Sequence, residues 1–294
     1  MAELEECYLY QSAEGLDVVA WTAGLSEEDR TLIRQHTEAA TGPGLVHYRC
    51  QPLDAERYCL SQLVSMFTGQ QAASIHTLIL PRTRSLDPFA LSQLPTTFDP
   101  VCPYQGPTVP ARDLALAEPD LKSSMEPLTN VMSFSNLAHL VHRAVLATPS
   151  DPMRLAPLHP AQTLPWFAAL YACVPPAWRA DLWFATWQPA AREAERWLAL
   201  IAPDGAERDE TVWDPTGTAP SASAASPYSR AAAEAIMSRD FAEVTRLAER
   251  VKGSRDPQAL QEIPEASRQR PLFRRQERHD ALLTLARDRN APEG

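Results

Sequence analysis

The sequence predicts an α+β protein: an N-terminal sheet with packed helices, followed by a mostly helical domain containing a small sheet. Three observations carry this. Ile75-His76-Thr77-Leu78-Ile79-Leu80 is an apolar run stopped by Pro81, the pattern of a strand covered on both faces. Two strand-like stretches near the N-terminus flank Glu14-Gly15 and read as a hairpin. After Leu128 the apolar residues fall at three- and four-residue spacing, the period of a helix.

Cys7-Tyr8-Leu9-Tyr10-Gln11 and Asp17-Val18-Val19-Ala20-Trp21-Thr22 are the two hairpin strands. Ser26 begins a helix; its hydroxyl can accept from the first turn, and Glu27, Glu28 and Asp29 suit the positive end of the helix dipole. Leu32, Ile33 and His36 share one face, and Thr41-Gly42-Pro43-Gly44 ends the helix. Leu45 to Cys50 is a strand. Arg57 to Val64 is open between strand and helix. Thr68 to Ala73 is polar and reads as a loop, and Asp87-Pro88 opens a short helix.

Six prolines between Pro95 and Pro119 destroy periodicity, so 106–127 reads as a connector between an N-terminal domain (1–105) and a helical domain (128–294). In the second domain, Val131 to Thr148 and Pro160 to Val174 are helices, and Ala177 to Asp181 is a turn of helix. Leu182 to Trp187 is an aromatic strand that Trp197 to Ile201 can pair with beyond a charged turn. Segment 217–227 is low in complexity and reads as flexible. Tyr228 to Lys252 is one long helical run, and Arg278 to Arg287 is a final helix.

The chain has 294 residues, enough for a sizeable core, and holds 27 prolines against 10 glycines. Its net charge of -10, without a basic stripe, argues against nucleic acid as a ligand. Five widely spaced cysteines with no CxxC point to reduced thiols, and the acidic N-terminus lacks the regions of a signal peptide. Apolar runs stop short of a membrane span. A cytoplasmic location is expected.

No reaction signature stands out: GxSxG and GxxxxGK[ST] are both absent. His139 and His142 share a helix face and His159 follows, but no carboxylate or Cys stands at ligand spacing, so packing outweighs zinc. Cys59 or Cys173 with His76 would make a nucleophile pair, yet no local signature supports one. No catalytic, cofactor-binding or metal residue is therefore assigned, and no cofactor is expected. His76 needs a partner for its ring inside an apolar strand, either backbone or Tyr58, or else a ligand role. Trp166, Trp178, Trp183, Trp187 and Trp197 read chiefly as core, with an exposed aromatic patch as the alternative. Arg268, Arg270, Arg274, Arg275 and Arg278 form a basic stretch, either solvated or a dock for an acidic partner. The interaction candidates are His76, Tyr58, Trp178, Trp183, Arg270, Arg274, Arg275 and Arg278.

Several short motifs occur in a telling order: Gln11 and Gly15, Trp21-Thr22-Ala23-Gly24-Leu25-Ser26, Pro52-Leu53, Tyr58-Cys59-Leu60, and His76-Thr77-Leu78-Ile79-Leu80. In that order they resemble the type 1 N-terminal domain of the bacterial GTPase-associated protein 1 family, over about the first hundred residues. Pro175, Arg179 and Phe184-Ala185-Thr186 resemble its middle domain more weakly. Two departures stand out: Gly15 is followed by Leu16 where the family has His, and Ser65-Met66-Phe67 replaces a tryptophan-rich stretch. The resemblance implies a non-enzymatic adaptor or regulator in a GTPase-linked conflict or signalling system, partnered by a protein such as a neighbouring-gene GTPase or its complex. Fold alone supplies no reaction. Two other readings stay open: an enzyme of unrecognised class with a cleft at the domain junction, and an oligomeric scaffold.

Overall fold

The computed structural model describes residues 4–12, 14–37, 46–65, 73–81, 97–99, 102–111, 125–126, 128–129, 133–148, 151–155, 160–179, 182–188, 198–201, 212–213, 225–253 and 255–262. The fold is α+β. The described strands are β1 (Glu5–Ser12), β2 (Gly15–Thr22), β3 (Val46–Pro52), β4 (Arg57–Ser65), β5 (Ala73–Pro81), β6 (Gly106–Val109), β7 (Met153–Leu155), β8 (Phe184–Gln188), β9 (Leu198–Ile201) and β10 (Val212–Trp213). They form one sheet in the order β10-β7-β9-β8-β3-β4-β5-β1-β2-β6. The middle of it, β3-β4-β5-β1-β2, is antiparallel throughout. The outer pairs β7–β9, β8–β9, β7–β10 and β2–β6 are parallel.

Strand β5 lies between β4 and β1, and its residues 73–80 are all buried. Successive side chains point to opposite faces, so Leu78 and Leu80 enter one core while Ile75 and Ile79 enter another. The first core joins the sheet to helices α2 (Phe134–Leu146), α3 (Pro160–Cys173), α4 (Pro227–Met237) and α5 (Phe241–Arg250). The second holds Ile33 of α1 (Glu27–His36) with Leu25, Cys7, Leu9 and Leu63. The sheet is thus a central layer with helix on each side.

Arg57 to Val64, ambiguous in sequence, is a strand because β3 and β5 pair with it on both edges. Of the stretch expected to pair with β8, Leu198–Ile201 does so, but in parallel rather than across a turn. A parallel neighbour needs a crossover, which periodicity does not announce. The run from Tyr228 to Lys252 is two helices. Asp240 N–H bonds the Ala235 carbonyl at 2.9 Å across Arg239 at φ 58, a closing motif that stops α4. Of the expected connector, Gly106–Val109 instead lies along β2 as β6. Within the expected flexible segment 217–227, Ala225 and Ser226 are buried, and the Ser226 hydroxyl caps α4 through the Ser229 N–H. The sheet crosses the expected domain boundary where Tyr48 N–H meets Thr186 Oγ1 at 2.8 Å and Cys50 stands opposite Phe184. The helix expected at Asp87 and the final helix from Arg278 lie outside the described residues. No helix among those described is long and apolar enough to cross a membrane.

Helix α1 is fixed at its start. Ser26 Oγ accepts from Asp29 N–H at 3.1 Å, and Asp29 Oδ2 accepts from Ser26 N–H at 3.2 Å, a capping box. Arg57 then ties this end to the turn before β4, hydrogen-bonding Asp29 and donating to Asp54 Oδ2 at 2.8 Å. Arg255 reaches the other end of the fold, donating to the Val145 carbonyl at the last turn of α2 at 3.0 Å.

Two predictions follow from this packing. Leu78 is 0 % exposed. Leu78→Ala costs about 2–5 kcal/mol by denaturant unfolding, and Leu78→Asp abolishes soluble folding because it buries a charge without a partner. Wild-type solubility and melting of the Asp variant would contradict the placement of β5. The Arg57 hydrogen bond, ahead of the burial that opposes it, holds the Asp29 carboxyl below its ordinary 3.8. Stability from a lowered carboxylate is full above the ordinary value and is lost as pH falls through the folded one. Arg57→Met therefore costs about 1–3 kcal/mol near neutrality. Denaturant midpoints of wild type and variant converge below about pH 4. A gap constant with pH would assign the effect to packing of the arginine stem.

Candidate functional site

The polar residues of greatest chemical interest converge where β1, β5 and the 97–99 segment meet. Tyr8 stands directly across from His76 in the β1–β5 register, and Glu6 lies one same-face position further along. His76 is 2 % exposed and Glu6 1 %. His76 Nε2 is 2.8 Å from Glu6 Oε2. The other ring nitrogen, Nδ1, accepts the Asp99 backbone N–H at 3.0 Å. That bond requires an unprotonated Nδ1, which assigns the proton to Nε2 and makes His76 the donor to the carboxylate.

Aromatic rings enclose the imidazole. The Tyr8 ring stacks on it at 4.1 Å and 13°, and the Phe98 ring meets it edge-on at 5.3 Å and 85°. Tyr8 donates its hydroxyl to Asp99 Oδ2 at 3.1 Å. Tyr104 adds a tilted contact on Tyr8 at 5.9 Å. On the far side of β5 the same register row continues through Gln62 of β4 and Tyr48 of β3. Gln62 Nε2 donates to the Tyr48 hydroxyl at 2.9 Å. A row of polar and aromatic side chains therefore crosses the sheet beneath Phe98.

This arrangement holds a charge and a proton but brings no nucleophile to them. Cys7 and Cys59 belong to the opposite core from His76. Burial pushes the Cys59 thiol up to about 12, and raises Cys7 well above its ordinary value, with help from the neighbouring Cys59. Cys173, at the end of α3, is likewise pushed up to about 12 by burial. Protonated, buried thiols are poor nucleophiles. The Cys/His pair weighed in the sequence is thus not assembled: the strand alternation separates Cys59 from His76.

His76 finds the backbone partner anticipated for it, but Asp99 supplies that partner and Glu6, rather than Tyr58, takes the second nitrogen. Tyr58 is 4 % exposed and packs 6.0 Å from Trp183. Trp183 is buried. Trp178 is also buried and donates Nε1 to the Gly253 carbonyl at 3.1 Å. Trp166 is 1 % exposed. These described tryptophans follow the core-packing reading; the side chains of Trp187 and Trp197 lie outside the described residues, as do Arg268, Arg270, Arg274, Arg275 and Arg278. His142 Nδ1 accepts the Ser226 N–H at 3.3 Å, and burial lowers both His142 and His139 below the ordinary histidine value. His159 is outside the described residues. Among those described, no three His, Cys, Asp or Glu side chains are grouped for a metal. A cleft of about 220 Å³ between α4, α5 and 257–262 is lined by Tyr228, Leu247, Arg250, Lys252 and Glu262. It falls short of the roughly 300–1,000 Å³ of small-molecule pockets.

No family model, curated protein or solved structure matches this chain. The site must therefore be read from its own atoms. Glu6, Tyr8, Gln62, Phe98 and Asp99 are not among the site candidates read from the sequence. Glu6 alone carried a signal: with Tyr8 it shares the strand face that register sets against His76, and a carboxylate on a buried strand face needs a donor.

Glu6 provides the test of this network. Glu6→Gln keeps an acceptor at similar reach and costs about 1 kcal/mol. Glu6→Leu leaves the His76 Nε2–H unpaired in the core and costs about 3 kcal/mol or more. Urea unfolding of the two variants separates them. Equal costs would place the value of Glu6 in packing rather than in its acceptor.

Proposed function

We propose that this chain is a non-enzymatic adaptor that binds a partner protein within a bacterial GTPase-linked conflict or signalling system. The observation that carries the reading is where the motifs of the resemblance fall. Gln11, Gly15, Trp21 to Ser26, Pro52-Leu53, Tyr58 to Leu60 and His76 to Leu80 all belong to β1, β2, β3, β4, β5, the entry to α1 or the turn between β3 and β4. Those five strands are neighbours in the sheet. Motifs of one ancestral unit would share one packed unit in this way.

The state of His76 supports the same reading. It is the titratable residue of the family-like strand, and both its ring nitrogens are engaged within the core. In the folded chain its Nδ1 holds the Asp99 N–H. The thiols of Cys7, Cys59 and Cys173 are buried and unbridged, which suits a reducing, cytoplasmic compartment. The partner in this reading is a protein encoded beside this one, a GTPase or its complex, docked in part by the arginines from Arg268 to Arg278. Arginine binds carboxylates bidentately, and a basic stretch steers an acidic partner.

Co-expression with the product of the neighbouring GTPase gene tests this. The two co-purify at low salt. Removing residues 265–294 weakens the complex while leaving thermal unfolding of the remainder unchanged. Raising salt weakens the full-length complex more than the truncated one, because exposed charges are screened over about 8 Å at physiological ionic strength. A chain that stays alone with that partner and turns over a metabolite would return the enzyme reading.

A further inference from the structure

The Gln62 side chain, 5 % exposed, satisfies only one end of its amide. Nε2 donates to Tyr48, while Oε1 has no hydrogen-bond partner. Turning the amide over would only move the unmet group from oxygen to nitrogen. In the register Gln62 lies between Tyr48 and His76. The Phe98 ring lies 6.1 Å from Tyr48 and 5.3 Å from His76, which puts an apolar ring above the residue between them. A buried amide end covered by a hydrocarbon ring is costly, because the group was hydrogen-bonded to water before folding.

The contacts holding that ring in place are themselves exchangeable. Asp99 N–H occupies His76 Nδ1, and the Asp99 carboxylate, on an exposed residue, accepts from Tyr8. Withdrawing Phe98 and Asp99 together would bare a slot between the Tyr48 and His76 rings. Its floor would offer two acceptors, Gln62 Oε1 and His76 Nδ1, with the Tyr8 hydroxyl at its edge. Aromatic walls favour a planar ring, and paired acceptors favour N–H donors on it. Burial beside the Glu6 carboxylate penalises an anion, and a cation would enter a slot whose acceptors are neutral.

We propose that Phe98 is an internal plug in a binding site for a small, neutral heteroaromatic molecule carrying N–H donors, of the aminopurine class. Such a ligand exchanges one ring for another, so apolar burial is nearly conserved. It adds the hydrogen bond to Gln62 that Phe98 cannot make. The site is independent of the adaptor reading: it depends on β1, β3, β4, β5 and the 97–99 segment, and needs no partner protein.

Adenine and benzene are the probes, each titrated by ligand-observed NMR against wild type, Phe98→Ala, Gln62→Met and the double variant. Adenine binds wild type weakly and Phe98→Ala at least tenfold more tightly. Gln62→Met lowers adenine affinity about tenfold in either background and leaves benzene binding unchanged. Adenine also raises hydrogen exchange of the Asp99 amide in wild type. The proposal fails if adenine binds Phe98→Ala no better than benzene does, if Gln62→Met leaves adenine binding intact, or if wild type binds no adenine at all. Should Phe98→Ala not fold, wild type against Gln62→Met decides the matter with the same readouts.

Discussion

A strand covered on both faces and paired on both edges leaves its polar groups no access to water. Strand β5 is in that position and carries Ser74, His76 and Thr77. Each buried donor and acceptor must be met from inside, or it costs about 1–3 kcal/mol. Thr77 meets Ser61 of β4, hydroxyl to hydroxyl, at 2.8 Å. His76 makes the larger demand, with two ring nitrogens, and satisfies them from two elements far apart in sequence. Glu6 is 70 positions away and Asp99 is 23. The imidazole thus sets the depth of β1 beside β5 and pins the 97–99 segment onto the sheet. The same donor offsets part of the cost of burying a carboxylate at Glu6.

The helical layer obeys the same rule at its termini, where backbone carbonyls have no partner within the helix. Arg179 donates to the Val174 and Ala172 carbonyls at 2.8 and 3.2 Å, closing the end of α3. Tyr228 of α4 gives its hydroxyl to the Cys173 carbonyl beside them. Arg255 does the same for α2 through Val145. Each cap comes from a different element than the helix it closes. The caps therefore also fix how the helices lie against one another, and so which side chains face the sheet.

How much of this was legible in the sequence depended on whether the cause was local. The β5 strand could be read because double burial leaves a continuous apolar run. The start of α1 could be read because a capping box acts within four residues. The break between α4 and α5 was hidden, since the left-handed residue that makes it is Arg239 rather than a glycine. The strand at Arg57 to Val64 was ambiguous because its two neighbours decide it, not its own pattern. The site was the least legible part. His76 could be singled out as a polar residue in an apolar strand, but pairing it with Glu6 requires knowing that β1 lies beside β5 and in which register. Asp99 contributes its backbone N–H as well as its carboxylate, and the former leaves no mark in a side-chain pattern.

Charge is distributed along the chain in a way that bears on how it can meet a partner. Residues 265–294 hold seven arginines and five acidic residues, so the other 264 residues carry -12 of the total -10. An acidic partner meeting the body would be repelled. Over the eleven residues from Arg268 to Arg278, however, five arginines face only Glu277. Screening acts over about 8 Å at physiological ionic strength, so in the adaptor reading proposed above an acidic partner would respond to this local density of arginine more than to the chain's total charge. On that reading the net negative charge elsewhere in the chain would disfavour other approaches. Such a split would give an adaptor specificity through repulsion as much as through attraction, a property the net charge alone would conceal.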